Sequence, residues 1–302
     1  MKKISQEIFL KWVISVLIGL ITTGCSAEIN PKKEALEVIK NIDTNGSERN
    51  DFMKFSRKPP ASWFWSHDID PNHIHDIVMP GMHLVRLSVY GNDKRRRFAS
   101  ISYAEKPEIE SIYLQDIAVT ELDDKIASVG ARPISITGSE INGQLRFSLV
   151  LHKDSGPKTT VYTNLDDAEL NQLISAQQRI SDFAVYYSAG GVREYAAIVE
   201  ERPGPSLVFA RVTAKALEAQ LRNNNLTPIR VRGFSEGGIR YFTAIAEHID
   251  VGDWHWYDDL DSDTLAQKLD ANKAYPFDLD SYRIEDDVRG VRFTVIMYSD
   301  HD

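Results

Sequence analysis

The sequence predicts a mainly β protein with short helices, built from five tandem units of helix, strand, strand, strand closed into a propeller-like ring. Three observations predict this. The stretch GGVREYAAIVEE (190–201) returns 47 residues later as GGIRYFTAIAEH (237–248). Its aromatic position recurs at Phe98, Phe147, Tyr195, Phe242 and Phe293, and three residues after each stands Ile101, Val150, Ile198, Ile245 or Ile296. The two ends are also complementary. The last copy stops after its hairpin, while SWFWSHDID (62–70) stands spare before the first helix and matches DWHWYDDLD (253–261). A strand missing at one end and extra at the other suggests ring closure, with 62–69 as the closing strand of the fifth copy.

The chain begins with early lysines and an apolar run of eleven, Trp12 to Thr22. A membrane-spanning helix needs about twenty such residues, so this run fits the core of a secretory signal instead. It ends in T-T-G-C-S at Cys25, the single cysteine of the 302 residues. The pattern resembles a bacterial lipobox: Thr23 and Gly24 match it, and Thr22 stands where leucine is usual. The resemblance implies cleavage after residue 24, lipidation of Cys25, and, from Ser26, outer-membrane retention with a periplasmic or cell-surface face. An ordinary signal with an incidental cysteine is the competing reading. Residues 25–61 hold one short helical pattern, KKEALEVIK, and then Pro59-Pro60, and read as a tether.

The repeat proper occupies 62–302, in copies of about 70–118, 119–165, 166–212, 213–260 and 261–302. Each copy opens on an apolar pair four residues apart, one helical turn: Ile74/Val78, Leu122/Ile126, Leu170/Ile174, Leu217/Leu221 and Leu265/Leu269. Asp70, Asp166, Thr213 and Asp261 stand where N-caps belong; in copy two Ala118 takes that place, with Thr120 as the nearer cap. An alternating run follows, such as RPISITGS or TPIRVRGF. A turn signal such as Asn142-Gly143 or Gly237-Gly238 then precedes the aromatic-and-isoleucine run, the pattern of a β-hairpin. That second hairpin strand is apolar on both faces, so neighbouring units must cover it.

GARPISITGSEINGQLRFSLVL and LTPIRVRGFSEGGIRYFTAIA carry a resemblance to the bacterial tandem repeat domains over residues 62–302. Such repeats also form the N-terminal region of fungal polyglycine hydrolases, where they build a propeller-like body. In those hydrolases the chemistry resembles that of β-lactamases and sits in a separate serine-hydrolase domain, which has no counterpart in this chain. The resemblance implies a fold and a binding or scaffolding role, and it carries over no catalytic residue and no cofactor.

Composition is ordinary for a globular protein, with 42% hydrophobic and 26% charged residues. A net charge of −9 disfavours nucleic acid as a partner. Ser155-Gly156-Pro157-Lys158 matches S-x-x-K, but that motif requires a helix and Pro157 places it in a loop. His73 and His75 could ligate zinc with Asp68 or Asp70, although on a helix they would point about 200 degrees apart. Trp63 and Trp254 align with Ser111, Thr159 and Ser206, a column read as solvent-facing. The pair is therefore a candidate platform for a peptide or glycan, with substantial exposure expected for both. The function expected is an exported, lipid-anchored binding or scaffolding protein of the bacterial envelope, without activity of its own. Its partner would be an envelope protein, peptide or glycan. A hydrolase acting on envelope peptide or glycan is the alternative.

Overall fold

Each strand–helix–hairpin segment of the chain forms one three-stranded antiparallel sheet, and five such sheets follow one another. The computed structural model describes residues 59–299 except 92, 106–107, 189, 205 and 284–289. The expected signal peptide (1–24), Cys25 and most of the tether (25–61) lie outside the described residues. The first sheet is β1 (Ser62–Ile69), β2 (His83–Tyr90) and β3 (Arg97–Ala104); the second is β4 (Glu110–Ala118), β5 (Arg132–Ile141) and β6 (Gln144–Lys153). The third is β7 (Thr159–Leu165), β8 (Arg179–Tyr187) and β9 (Arg193–Glu200). The fourth is β10 (Ser206–Val212), β11 (Thr227–Glu236) and β12 (Ile239–Glu247); the fifth is β13 (Trp254–Leu260), β14 (Ala274–Arg283) and β15 (Val291–Ser299). Helices α1 (Leu122–Val129), α2 (Asp167–Gln172), α3 (Ala214–Asn223) and α4 (Ser262–Asn272) connect the first two strands of sheets two to five, and a 3₁₀ helix (Pro71–Ile77) does so in sheet one.

The order within every sheet is first strand, third strand, second strand. This corrects the expected unit. The strand ahead of each helix pairs with the hairpin that follows it, so the units run 62–104, 110–153, 159–200, 206–247 and 254–299. The expected closing strand 62–69 is β1, and it pairs with β3 of its own sheet, Trp65 opposite Ile101. The fifth sheet is complete without it. The reason is geometric. β1 and β2 both run antiparallel to β3, so the helical crossover leaves them parallel with one strand's width between them. The returning arm of the hairpin fills that slot. Closing this short loop costs less chain entropy than reaching β15, more than two hundred residues away.

The middle strands meet the demand read from their two apolar faces. Phe98, Phe147, Tyr195, Phe242 and Phe293 are all buried, as are Ile101, Val150, Ile198, Ile245 and Ile296. The helices cover one face with Ile74, Leu122, Leu170, Leu217 and Leu265, each at most 2% exposed. Asp70, Asp166, Thr213 and Asp261 accept N-cap hydrogen bonds as expected, Asp166 in a full capping box with Glu169. Thr120 does not cap: a 3₁₀ turn, Val119–Glu121, leads into α1, whose N-cap Glu121 makes no side-chain cap bond.

One backbone feature recurs in every unit. Asp68, Asp116, Asn164, Arg211 and Asp259 adopt left-handed φ between 52° and 58°, at the bulge where the first strand of each sheet shifts register. The N–H freed by this bulge finds a side chain. Asp68, Asn164 and Asp259 donate to the hydroxyls of Tyr90, Tyr186 and Tyr282, and Asp116 donates to Ser148.

Neighbouring sheets meet through the second strands, β2, β5, β8, β11 and β14, and the polar contacts repeat in register. The N–H of Val89 donates to Thr137 Oγ1 (3.1 Å), that of Gly233 to Asp280 Oδ2 (3.0 Å), and that of Ser281 to Ser88 Oγ (2.9 Å). In a second set, His152 donates to the Leu84 carbonyl (2.8 Å), Tyr298 to that of Pro228 (2.7 Å), and Tyr103 to that of Pro276 (2.7 Å). The contacts of sheet five with sheet one therefore have the same form as those between consecutive sheets. Among the described residues no helix is long and apolar enough to cross a membrane.

Candidate functional site

The residues singled out by sequence do not assemble into one site. His73 and His75 are exposed on the 3₁₀ helix; His73 pairs with Asp76 (2.8 Å), and His75 meets the edge of the Tyr113 ring. Asp70 caps that helix and stands 3.7 Å from Arg97. Among the described residues no three His, Cys, Asp or Glu side chains are grouped to hold a metal ion. Ser155 to Lys158 form the loop between β6 and β7, with Gly156 N–H on Asp154 and Lys158 paired to Glu201.

Trp63 and Trp254 occupy equivalent positions, opposite Tyr103 and Tyr298, but both are half-buried against the hydrophobic core, not substantially exposed. The Arg222 guanidinium lies over the Trp254 indole at 3.8 Å. The polar members of their column misled because polarity there serves protein partners: a seam between sheets at Ser111 and a pair within one sheet at Ser206. Ser111 Oγ accepts from Leu84 N–H (3.1 Å), and Ser206 is buried and donates to Glu247 (3.0 Å).

What the fold does assemble is a cavity of about 510 Å³ to which all five sheets contribute. It lies at the starting ends of the second strands. Sheet one supplies His83 and Glu105, sheet two Arg132 and His152, sheet three Arg179 and Glu200, sheet four Glu247 and Arg230, and sheet five Tyr275 and Phe277. The walls are ion-paired. Arg132 holds Asp154 in a bidentate pair, and Arg179 bridges Glu200 of its own sheet and Glu247 of the next (2.8 Å). Burial raises the Asp154 carboxyl, but Arg132 and the Gly156 N–H outweigh it and hold the group below its ordinary value.

Two buried histidines stand side by side in the wall, their rings edge to face at 5.1 Å. Burial pushes His152 down to about 4, against the opposing pull of its hydrogen bond to Leu84 O, and burial also lowers His83. Both are neutral near pH 7.

Below the cavity the second strands present charge where a repeat core would be apolar. Arg86, Arg230, Arg232, Asp182 and Asp278 are all buried, and Asp280 beside them is half-buried. Arg232 is the hub. Its Nη2 meets Asp182 (2.6 Å), its Nη1 meets Asp278 (2.7 Å), and its Nε donates to the Phe183 carbonyl (3.0 Å). Asp182 also accepts from Ile136 N–H and Asp278 from Val231 N–H, so each carboxylate joins two sheets. Burial, opposed by Arg232 and by hydrogen bonds from Gly233 and Ser88, pushes Asp280 up to about 6.

These two shifts give opposite pH responses. His152, lowered to about 4 from 6.5, contributes stability that is present above pH 6.5 and lost as pH falls toward 4. Asp280, raised from 3.8 to about 6, contributes stability that is present at acid pH and lost as pH rises through 6. Each shift corresponds to roughly 3 kcal/mol over its full window. In chemical denaturation between pH 7.5 and 5, His152→Gln is expected to gain stability relative to wild type on acidification. Asp280→Asn is expected to lose it. Parallel curves for all three proteins would show that neither group titrates in that range.

Sequence reading missed this site because its members are single residues scattered over five copies. One signal was available: R-V-R (230–232) and D-L-D (278–280) place two like charges two residues apart, where the counterparts R-L-S (86–88), S-I-T (135–137) and D-F-A (182–184) carry at most one. Family models give no match to this chain, and no curated protein matches it.

Proposed function

We propose that the protein is a five-unit, propeller-like binding module in which the sheets close into a ring around the cavity. The ring reading is supported by the bonds from Ser281 to Ser88 and from Tyr103 to Pro276, which repeat between sheets five and one the contacts between consecutive sheets. The resemblance to bacterial tandem repeat domains agrees with it. The function is binding or scaffolding at the bacterial cell envelope, with Cys25 as lipid anchor and an envelope peptide or glycan as ligand. The observation that carries binding is the cavity itself. All five units contribute side chains to it that no single unit's own core requires.

Ser181 lines the cavity at the β8 register shift, so a large side chain there fills space without replacing a core residue. Thermal shift with oligopeptides, oligosaccharides and nucleotides should find one class that raises the Tm of wild type and not of Ser181→Trp. If no class separates the two proteins, the cavity is not a binding site. In the same host, Cys25→Ala should move the protein from the membrane to the soluble fraction; unchanged membrane association would remove the anchor.

A further inference from the structure

The floor and the mouth of the cavity carry opposite, incompletely matched charges. Arg230 is 2% exposed and lines the cavity one layer above Arg232. All three donor nitrogens of Arg232 are engaged by protein groups, as described above. Arg230 is engaged less fully. Its Nη1 donates to the Ile229 carbonyl, and its Nε stands 3.2 Å from Asp182 and 3.7 Å from Asp278. Its Nη2 has no hydrogen-bond partner among the described residues, nor is it among the fully occluded polar atoms. A donor edge of this guanidinium is therefore open to the cavity. Phe277 flanks the same group, its ring centroid 5.0 Å from the guanidinium carbon, and holds its plane.

At the other end stands Glu105, just past the end of β3. Its contact among the described residues is His83 Nε2 at 3.7 Å, a buried ring that makes no hydrogen bond there. Among the described residues no arginine or lysine pairs with it, whereas Asp154, Glu200 and Glu247 in the same walls all have arginine partners. Arg230 pairs in register with Ile245, and the equivalent of Ile245 in β3 is Ile101. Glu105 is four residues beyond Ile101, so the two levels differ by about four strand steps, roughly 13 Å.

We infer that the cavity takes a short extended peptide of about three or four residues, its free carboxylate on Arg230 and its amino terminus at Glu105. This rests on the cavity being the binding site. A planar monoanion suits one open guanidinium edge. A phosphate dianion would face Asp182 and Asp278 beneath the floor and the carboxylates of the walls. An uncharged sugar would leave both ends unmatched. The side walls supply alternating polar groups and the Tyr275 and Phe277 rings, suited to an extended backbone with small side chains.

Titration calorimetry with trialanine, trialanine amide, N-acetyltrialanine, alanine and inorganic phosphate tests this. Trialanine is expected to bind wild type and not Ser181→Trp, with the amide at least tenfold weaker. Glu105→Gln, a change at a partly exposed group that the core does not need, should weaken trialanine several-fold and leave N-acetyltrialanine unchanged. Equal binding of trialanine and its amide, binding of phosphate or alanine in preference, or no response to Glu105→Gln would overturn the peptide assignment. If oligosaccharides bind wild type but not Ser181→Trp while trialanine binds neither, the binding function stands and this inference falls. If no probe of any class distinguishes wild type from Ser181→Trp, the function fails with it.

Discussion

Arg232→Met is expected to destabilise the protein by about 3–5 kcal/mol, the cost of removing one partner from a buried ion-paired cluster. The substitution keeps most of the side-chain volume and removes the charge. Asp182 and Asp278 are at most 1% exposed, and each would keep backbone N–H donors but lose its closest cation. The carbonyl of Phe183 would lose a donor as well. Because the two carboxylates belong to sheets three and five and Arg232 to sheet four, the loss falls on the packing of three units together. The partners can be neutralised to separate charge from shape. Adding Asp182→Asn and Asp278→Asn to Arg232→Met should recover part of the loss, since an uncharged cluster leaves no buried ion unpaired. Urea denaturation at pH 7.5 measures both. A loss below about 1 kcal/mol for the single variant would mean that water reaches the carboxylates and the cluster is not the dry hub described.

The second large effect concerns the middle strands. Phe242→Ala should cost about 3–5 kcal/mol, the range for emptying an aromatic site in a core that cannot collapse around it. Phe242 is 1% exposed and meets the Trp256 ring edge to face, centroids 5.3 Å apart. It therefore joins sheet four to the first strand of sheet five. Its ring also lies over Gly233 on the neighbouring strand, where an added Cβ would stand 3.3 Å from it. Gly138 has the same relation to Phe147, at 3.0 Å. That explains a glycine in the middle of RPISITG and of RVRGF: the aromatic column occupies the space of its side chain. Thermal unfolding of Phe242→Ala should show a drop of many degrees in Tm; a change of only one or two would mean the site repacks from both sheets.

Much of this architecture was legible from the chain alone, and particular residues show why. The aromatic and isoleucine columns from Phe98 and Ile101 to Phe293 and Ile296 recur because every unit must bury its middle strand on both sides. That demand is local and leaves a periodic record. The caps at Asp70, Asp166, Thr213 and Asp261 were readable for the same reason, since a cap concerns atoms two or three residues away. The left-handed bulge was not read from the sequence: Asp68, Asp116, Asn164 and Asp259 are side chains that tolerate it, but Arg211 breaks the column.

Tertiary structure alone decided three things. It decided that β1 belongs to the first sheet, because SWFWSHDI and its repeats have equal local propensity for either neighbour and only the slot left by the crossover chooses between them. It decided that Ser111 seals a seam, that Ser206 is buried against Glu247 of its own sheet and that Trp63 and Trp254 are half-buried, because a polar column reads the same whether its partner is water or protein. And it decided the candidate site. Arg230, Glu105 and the Arg232 cluster are far apart in the chain, and each looks like ordinary variation within its own copy. Local patterns determine the shape of a unit, whereas the chemistry of the candidate site arises only where neighbouring sheets bring unlike residues together.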